Sequence, residues 1–461
     1  MSKRSIFLTL ALAATQVLAF AQAGFQLPKY EKVKLKNGLT LYLMEQHEVP
    51  LISFNLTFSA GAAYDGAMPG LASITGEALR LGTAKYSKDQ IDEQIDFLGA
   101  TLDIATGSEF ATIYGEFAAK DQDAVWPILA DMVQAPRFDA AEFEKARTRK
   151  VQNLIQAKDS PREVIGDYWN GFMYPGHPYG NPTDGDEKSV AKIQVADAQA
   201  FFKAHYTAGN AAIAVVGDFK AADMKARITK LLGDWKTEKP AAAITKVPTQ
   251  DYGKARVVLI NKEDSHESRF FIGGKGVPRN HPDYVAIQVI NTILGGRFTS
   301  WLNTELRINS GLSYGARSNF DYRRLSGTFY MGSFTATPTT ERAMRMAGRV
   351  LDSLHRVGPD EATLASARNY ILGGFAPDYE TASQLAGLLA DFHNYGINET
   401  AINTFRDQVM AVDLARAKEV IRKYFPKDNL QVLVIGRGED VRAALKAWGE
   451  YKEKDIRDAG Y

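Results

Sequence analysis

The apolar run AAIAVVGDF at 211–219 returns near the far end of the chain as LQVLVIGRG at 430–438. Each reads as a short buried strand closed by a glycine turn. The elements before each run repeat as well. In the first half, Asn37-Gly38 marks a hairpin turn between strands and an apolar strand covers 51–58. Amphipathic helices fall at 70–83 and 88–98, strands alternate through 100–118, and helices follow at 122–134 and 140–158. In the second half, ARVVLINKEDSHESRFFIGGKG reads strand, turn, strand. Helices at 281–294 and 298–308, alternating strands over 312–336, and helices at 340–357 and 360–372 complete the repeat. A chain whose element order repeats after about 200 residues is expected to build two similar cores. Strands are grouped with helices and do not alternate with them singly, so the fold class is α+β, with antiparallel-rich sheets packed on helices.

Between the halves lies KTEKPAAAITKVPTQDYG, polar and broken by Pro240 and Pro248. It reads as a tether or a hinge. The domain reading is therefore 24–236, a linker at 237–250, and 251–461. Residues 1–23 stand apart: Lys3 and Arg4 precede an apolar run to Phe20, then Ala19, Ala21 and Ala23 supply small residues. This is the pattern of a secretory signal peptide cleaved near Ala21 or Ala23, so a periplasmic or secreted protein with no lasting membrane anchor is expected. With no cysteine among its 461 residues, the chain has neither a disulfide nor a lipid attachment site. A net charge of +1, from 55 basic and 54 acidic residues without a basic tract, argues against nucleic acid as a partner.

Chemistry has to be sought in particular residues. GLASITGEALRLGT, at 70–83, is punctuated as a helix: Pro69 stands just before it and Gly82 is placed to end it. Ser73 and Glu77 share one of its faces. The seven histidines are His47, His177, His205, His266, His281, His355 and His393. None lies three or four residues from another, so none forms a helical ligand pair. Gly295-Gly296, at a junction of helices, reads as a packing turn, since no Rossmann or P-loop pattern surrounds it.

Several stretches carry a family resemblance: NGLTLYL, VPLISFNLTFSAGAAYD and PGLASITGEALRLGT early, HPYGNPTDGDEKSV at 177–190, and RFFIGGKGVPRNHPDY and ELRINSGLSYGARS in the second half. They resemble the pitrilysin- and insulinase-type zinc peptidases, the group that includes the mitochondrial processing peptidase. The likeness covers nearly all of the chain beyond the signal. It implies two homologous α+β domains arranged as a clamshell.

Active members carry the inverted zinc motif H-x-x-E-H on the helix that corresponds to 70–83. Two His ligands share one helical face, a Glu between them activates water, and a later helix supplies a third ligand, a Glu. Carried over by position, Ser73 stands at the first ligand, Gly76 at the general base and Glu77 at the second ligand. Asn153 stands at the third, and Ala146 where a supporting Glu is expected. A hydroxyl, a carboxylate and an amide suit zinc poorly, so no metal or other cofactor is expected in this chain. The resemblance also implies that an Arg and, seven residues later, a Tyr assist the reaction. Arg307 and Tyr314 stand at that spacing. Substrate backbone is expected to pair with the strand Ala100, Thr101, Leu102, Asp103, Ile104 and Ala105, where Asp103 replaces a frequent Asn.

The expectation is a non-zinc subunit, inactive alone, of an exported heterodimeric zinc metalloendopeptidase acting on unfolded peptides. Its partner would carry H-x-x-E-H and the zinc, and this chain would supply Arg307 and Tyr314 in trans. Two other readings are open: an inactive peptide-binding or scaffold protein of the same fold, and an autonomous hydrolase with unusual ligands.

Overall fold

The computed structural model describes residues 25–235, 242–250 and 252–461. The signal-peptide residues 1–23 lie outside the described residues, as do 237–241 of the linker.

Two six-stranded sheets are each packed against helices. The first is built from β1 (Glu31–Lys34), β2 (Thr40–Glu45), β3 (Leu51–Phe58), β4 (Thr101–Thr106), β5 (Ala111–Ala118) and β6 (Ala211–Gly217). Its order is β1-β2-β6-β3-β5-β4. The second uses β7 (Arg256–Asn261), β8 (Glu267–Lys275), β9 (Ala316–Tyr322), β10 (Gly327–Ala336), β11 (Gln431–Gly436) and β12 (Tyr451–Asp455), in the order β12-β7-β11-β8-β10-β9. Five strands therefore repeat in identical order, as the doubled sequence pattern requires. The matching runs at 211–219 and 430–438 become β6 and β11, both central and wholly buried. Only the outermost position differs: β1 comes from the start of the chain and pairs antiparallel, while β12 comes from its end and pairs parallel.

Five helices place the side chains of the candidate site and join the two halves: α1 (Leu71–Ala78), α2 (Ala140–Ala157), α3 (Pro161–Met173), α4 (Tyr284–Asn291) and α5 (Ala382–Tyr395). α1 is shorter than its sequence suggested. It starts after Gly70, whose φ of 93° is left-handed, and it stops at Ala78, ahead of Gly82. Pro69 is thus outside the helix. Asp65 caps the start from upstream, accepting hydrogen bonds from Gly70 N and Ala72 N, both at 2.7 Å. After α4 the backbone widens into a π-helical turn, Thr292–Gly296. A Cβ on Gly295 would lie 2.1 Å from Ser318 N of β9, so this glycine is needed for close packing, as the sequence suggested.

The two halves are clasped by exchanged helices. α3, from the first half, covers β8 and β11 of the second sheet. Val164, Ile165, Tyr168 and Trp169 pack there with Ile260, Leu433 and Ile435. In the reverse direction α5 covers β3 and β6 of the first sheet with Leu385, Leu388, Leu389 and Phe392. Buried polar contacts reinforce the clasp. Arg323 is only 4% exposed and donates across the interface to Ser108 Oγ (2.8 Å), Tyr179 O (2.8 Å) and Asn170 Oδ1 (2.9 Å). Burying a guanidinium is costly unless its donors are satisfied, and here they are. At the end of the linker, Gln250 is buried and bonds to Gly327 O and Ser326 Oγ. This segment is therefore anchored to the second half.

Candidate functional site

Ser73 and Glu77 on α1 line one cavity with Ile104, Ala105 and Thr106 of β4 and with Arg149 and Lys150 of α2. Ser73 Oγ donates to Asp184 Oδ1 at 2.6 Å. The Lys150 ammonium donates to both, at 2.8 Å to Ser73 Oγ and 2.6 Å to Asp184 Oδ1. The three groups form a closed ring around one cation. Burial works to raise the Asp184 carboxyl, yet Lys150 and the two hydrogen bonds hold it below the usual carboxylate range. Glu77 is ion-paired with Arg149. Gly76 faces β4 at close range, where a Cβ would lie 2.8 Å from Thr106 Oγ1 and 3.3 Å from Ile104 Cγ2.

Asn153, expected at the third ligand position, is exposed and is not among the residues lining this cavity. Ala146 is buried in the first core. The helix α2 instead turns Lys150 toward Ser73. Sequence reasoning missed Lys150, Arg149 and Asp184. Lys150 could have been found, because it lies three residues before Asn153 and so shares its helical face. Asp184 is remote in sequence and carried no such signal.

These residues do not fit a zinc ion. The Ser73 hydroxyl and the Glu77 carboxylate are already engaged by cations, and an ammonium sits within hydrogen-bond distance of the first ligand position. Among the described residues, no three His, Cys, Asp or Glu side chains are grouped as a metal site. The histidines have other partners: His355 meets Phe425 O at 2.8 Å, and His177 meets Lys246 O at 2.8 Å. The fourfold change Ser73→His, Gly76→Glu, Glu77→His, Asn153→Glu is therefore expected to bind no stoichiometric zinc while Lys150 remains. Adding Lys150→Met is expected to restore binding, read as metal content after dialysis.

Two further carboxyls stand close by. Burial pushes Asp65 up to about 7 against its two backbone donors. Burial, with repulsion from Asp184, pushes Asp167 up to about 7 as well. An acid with a raised folded value holds its proton more tightly in the folded state. Its contribution to stability is full below about pH 4 and is lost as pH rises through 7. Asp167→Asn is therefore expected to raise Tm at pH 8 and to change it little at pH 4, measured by thermal unfolding at both values.

The strand expected to pair with substrate is β4, an edge strand bonded only to β5. Thr101, Leu102, Asp103, Ile104 and Ala105 belong to it, while Ala100 precedes it in a turn. Asp103 is held by Arg80 Nη1 at 3.0 Å, and the same nitrogen donates to Leu102 O at 2.6 Å. Arg80 is itself tied to Asp92 at 2.7 Å.

Arg307 lies in a π-helical turn, Thr304–Asn309, and Tyr314 lies just before β9, the edge of the second sheet. Tyr314 is 83% exposed. The Arg307 guanidinium sits 4.8 Å from the ring centre of Phe298. Neither side chain has a hydrogen bond or ion pair among the described residues, and neither lines the cavity of Ser73 and Glu77.

Comparison with known proteins identifies the family and the fold. The profile of insulinase (peptidase family M16) matches residues 42–187, and that of the peptidase M16 inactive domain matches 192–371. The chain belongs to the M16 peptidase family. An uncharacterized zinc protease of Mycobacterium tuberculosis is 25% identical to this M16 chain, over 85% of it and 90% of the relative. One from Bacillus subtilis is 21% identical, over 87% and 97%. Bovine mitochondrial cytochrome b-c1 complex subunit 1 is 26% identical, over 60% of this chain and 57% of its own length. In fold, the M16 chain is similar to the crystal structure of a peptidase M16 inactive domain from Pseudomonas fluorescens. The TM-score is 0.83 at 24% identity, covering 89% of this chain and 98% of that one. A Helicobacter pylori protease gives a TM-score of 0.82 at 20% identity, covering 89% and 100%.

Proposed function

We propose that this chain is the metal-free subunit of an exported heterodimeric M16 metalloendopeptidase that acts on unfolded peptides. The zinc belongs to a partner carrying H-x-x-E-H. This chain contributes Arg307 and Tyr314 in trans and has no peptidase activity alone. One contrast carries the reading: Ser73 and Glu77 of the first half are taken up by Lys150 and Arg149, while Arg307 and Tyr314 stand without polar partners among the described residues, the tyrosine 83% exposed. A guanidinium and a phenol held ready in this way donate hydrogen bonds to the carbonyl oxygen as it gains charge. Beyond Leu102 and Asp103, which Arg80 already holds, the edge of β4 and its neighbouring cavity add a place for extended peptide backbone.

The test is metal content and peptide cleavage by the purified chain, alone and mixed with a candidate H-x-x-E-H partner. No zinc and no cleavage alone, with cleavage by the mixture above that of the partner alone, is expected. Zinc and cleavage by the lone chain would establish the autonomous hydrolase instead. A scaffold reading is favoured by the similarity to a respiratory-complex subunit. It predicts a stable complex whose turnover does not depend on Arg307 or Tyr314.

A further inference from the structure

The second domain holds a cavity of about 960 Å³, distinct from the Ser73 cavity. Its wall is aromatic: Tyr284, Tyr370, Phe375, Tyr379 and Phe405. Among its lining residues only Arg279 and Asp378 belong to the charged types, with His281 the one histidine. Burial lowers His281 from its ordinary value, so it is neutral at pH 7.

The two charges do not pair with each other. The Arg279 guanidinium carbon lies 4.0 Å from the ring centre of Tyr284, over one of the aromatic rings of the wall. Among the described residues the guanidinium makes no hydrogen bond or ion pair, and neither does the Asp378 carboxylate. A partly buried guanidinium normally uses its fork of donors on a carboxylate or carbonyl. Asp391, on α5, also acts electrostatically on Arg279; burial pushes its carboxyl up to about 6, and among the described residues the two groups form no ion pair.

The lining also includes Gly373 and Gly374, inside the helix Glu361–Phe375. A Cβ at either would meet nothing within 4 Å. Packing therefore does not require glycine there, although each glycine weakens a helix relative to alanine. What the missing side chains leave is open room along the cavity.

We propose that this cavity binds a short apolar peptide by its free ends. The C-terminal carboxylate lies on Arg279 in a bidentate pair, the amino terminus on Asp378, and apolar side chains on the aromatic wall. The site is independent of the trans-complementation reading and needs no partner subunit.

The experiment is calorimetric titration of the full chain with four probes: phenylalanyl-leucine, its C-terminal amide, its N-acetyl form and free phenylalanine. The free dipeptide is expected to bind tightest, with about tenfold or greater loss on capping either end. Arg279→Gln should abolish the preference for acid over amide, and Asp378→Asn the preference for amine over acetyl. Arg279→Lys should retain part of the first. Melting curves confirm that the variants are folded, and Asp378, being exposed, supplies a variant that does not disturb packing. No binding at millimolar dipeptide, or equal affinity for acid and amide, would overturn the proposal. Equal or tighter binding of free phenylalanine would overturn the peptide assignment.

Discussion

If this chain completes the site of a zinc-bearing partner as proposed, Tyr314→Phe is expected to lower kcat of the reconstituted complex by roughly ten- to a thousand-fold, the range for losing one donor to an oxyanion. KM for peptide is expected to change little, because the hydrogen bond strengthens only as charge develops on the carbonyl oxygen. The chain's own stability should be unaltered. Tyr314 is 83% exposed and its hydroxyl bonds to nothing among the described residues, so removing the oxygen leaves no buried group unsatisfied. Arg307→Lys should also lower kcat, since a point charge cannot reproduce a planar fork. Both are read as initial rates at saturating peptide, with Tm measured on the same preparations. Wild-type turnover from Tyr314→Phe would sink the assigned role and favour the scaffold reading.

Trp169→Ala is expected to cost about 3–5 kcal/mol, the usual range for emptying the place of a large buried aromatic. Trp169 is 2% exposed and packs within the clasp. Its ring meets Phe271 at 5.8 Å and Tyr330 at 5.9 Å, both on the second sheet. Its Nε1 donates to Thr328 Oγ1 at 3.2 Å, so truncation also strips a buried hydroxyl of its donor. Because α3 belongs to one half and covers the sheet of the other, the variant should loosen the join between domains as well as lower Tm. Denaturant unfolding and limited proteolysis near 242–250 measure the two effects. A Tm within a degree of wild type would mean that the exchanged helix is not what holds the halves together.

The repeated strand runs, the Asn37-Gly38 hairpin and β3 at 51–58 were legible because alternation and turn chemistry are local properties of the chain. The same holds for most helices with one apolar stripe. The π-helical turns at Thr292–Gly296 and Thr304–Asn309 were not, since an extra residue per turn has no local sequence mark. The role of α3 was also hidden. Its apolar residues announce that a face is buried, but nothing in them says that it covers β8 and β11, strands of the other half of the chain. At the site, residue type alone shows no His at Ser73 or Glu77 and no Glu at Gly76 or Asn153, the positions that the resemblance assigns to the zinc motif.

What fills the place of those ligands could not be read in advance. The sequence by itself determined the doubled α+β plan, the residue types at Ser73, Gly76 and Glu77, and the seven-residue spacing of Arg307 and Tyr314. These depend on residue types and short spacings. Tertiary structure alone decided that Lys150 and Asp184 close around Ser73, that Arg149 neutralises Glu77, and that each half lends a helix to the other's sheet. It also decided that Arg279 and Asp378 share a cavity without pairing. Each of these joins groups distant along the chain, and their meeting depends on how whole elements pack once backbone hydrogen bonds and buried apolar surface are satisfied.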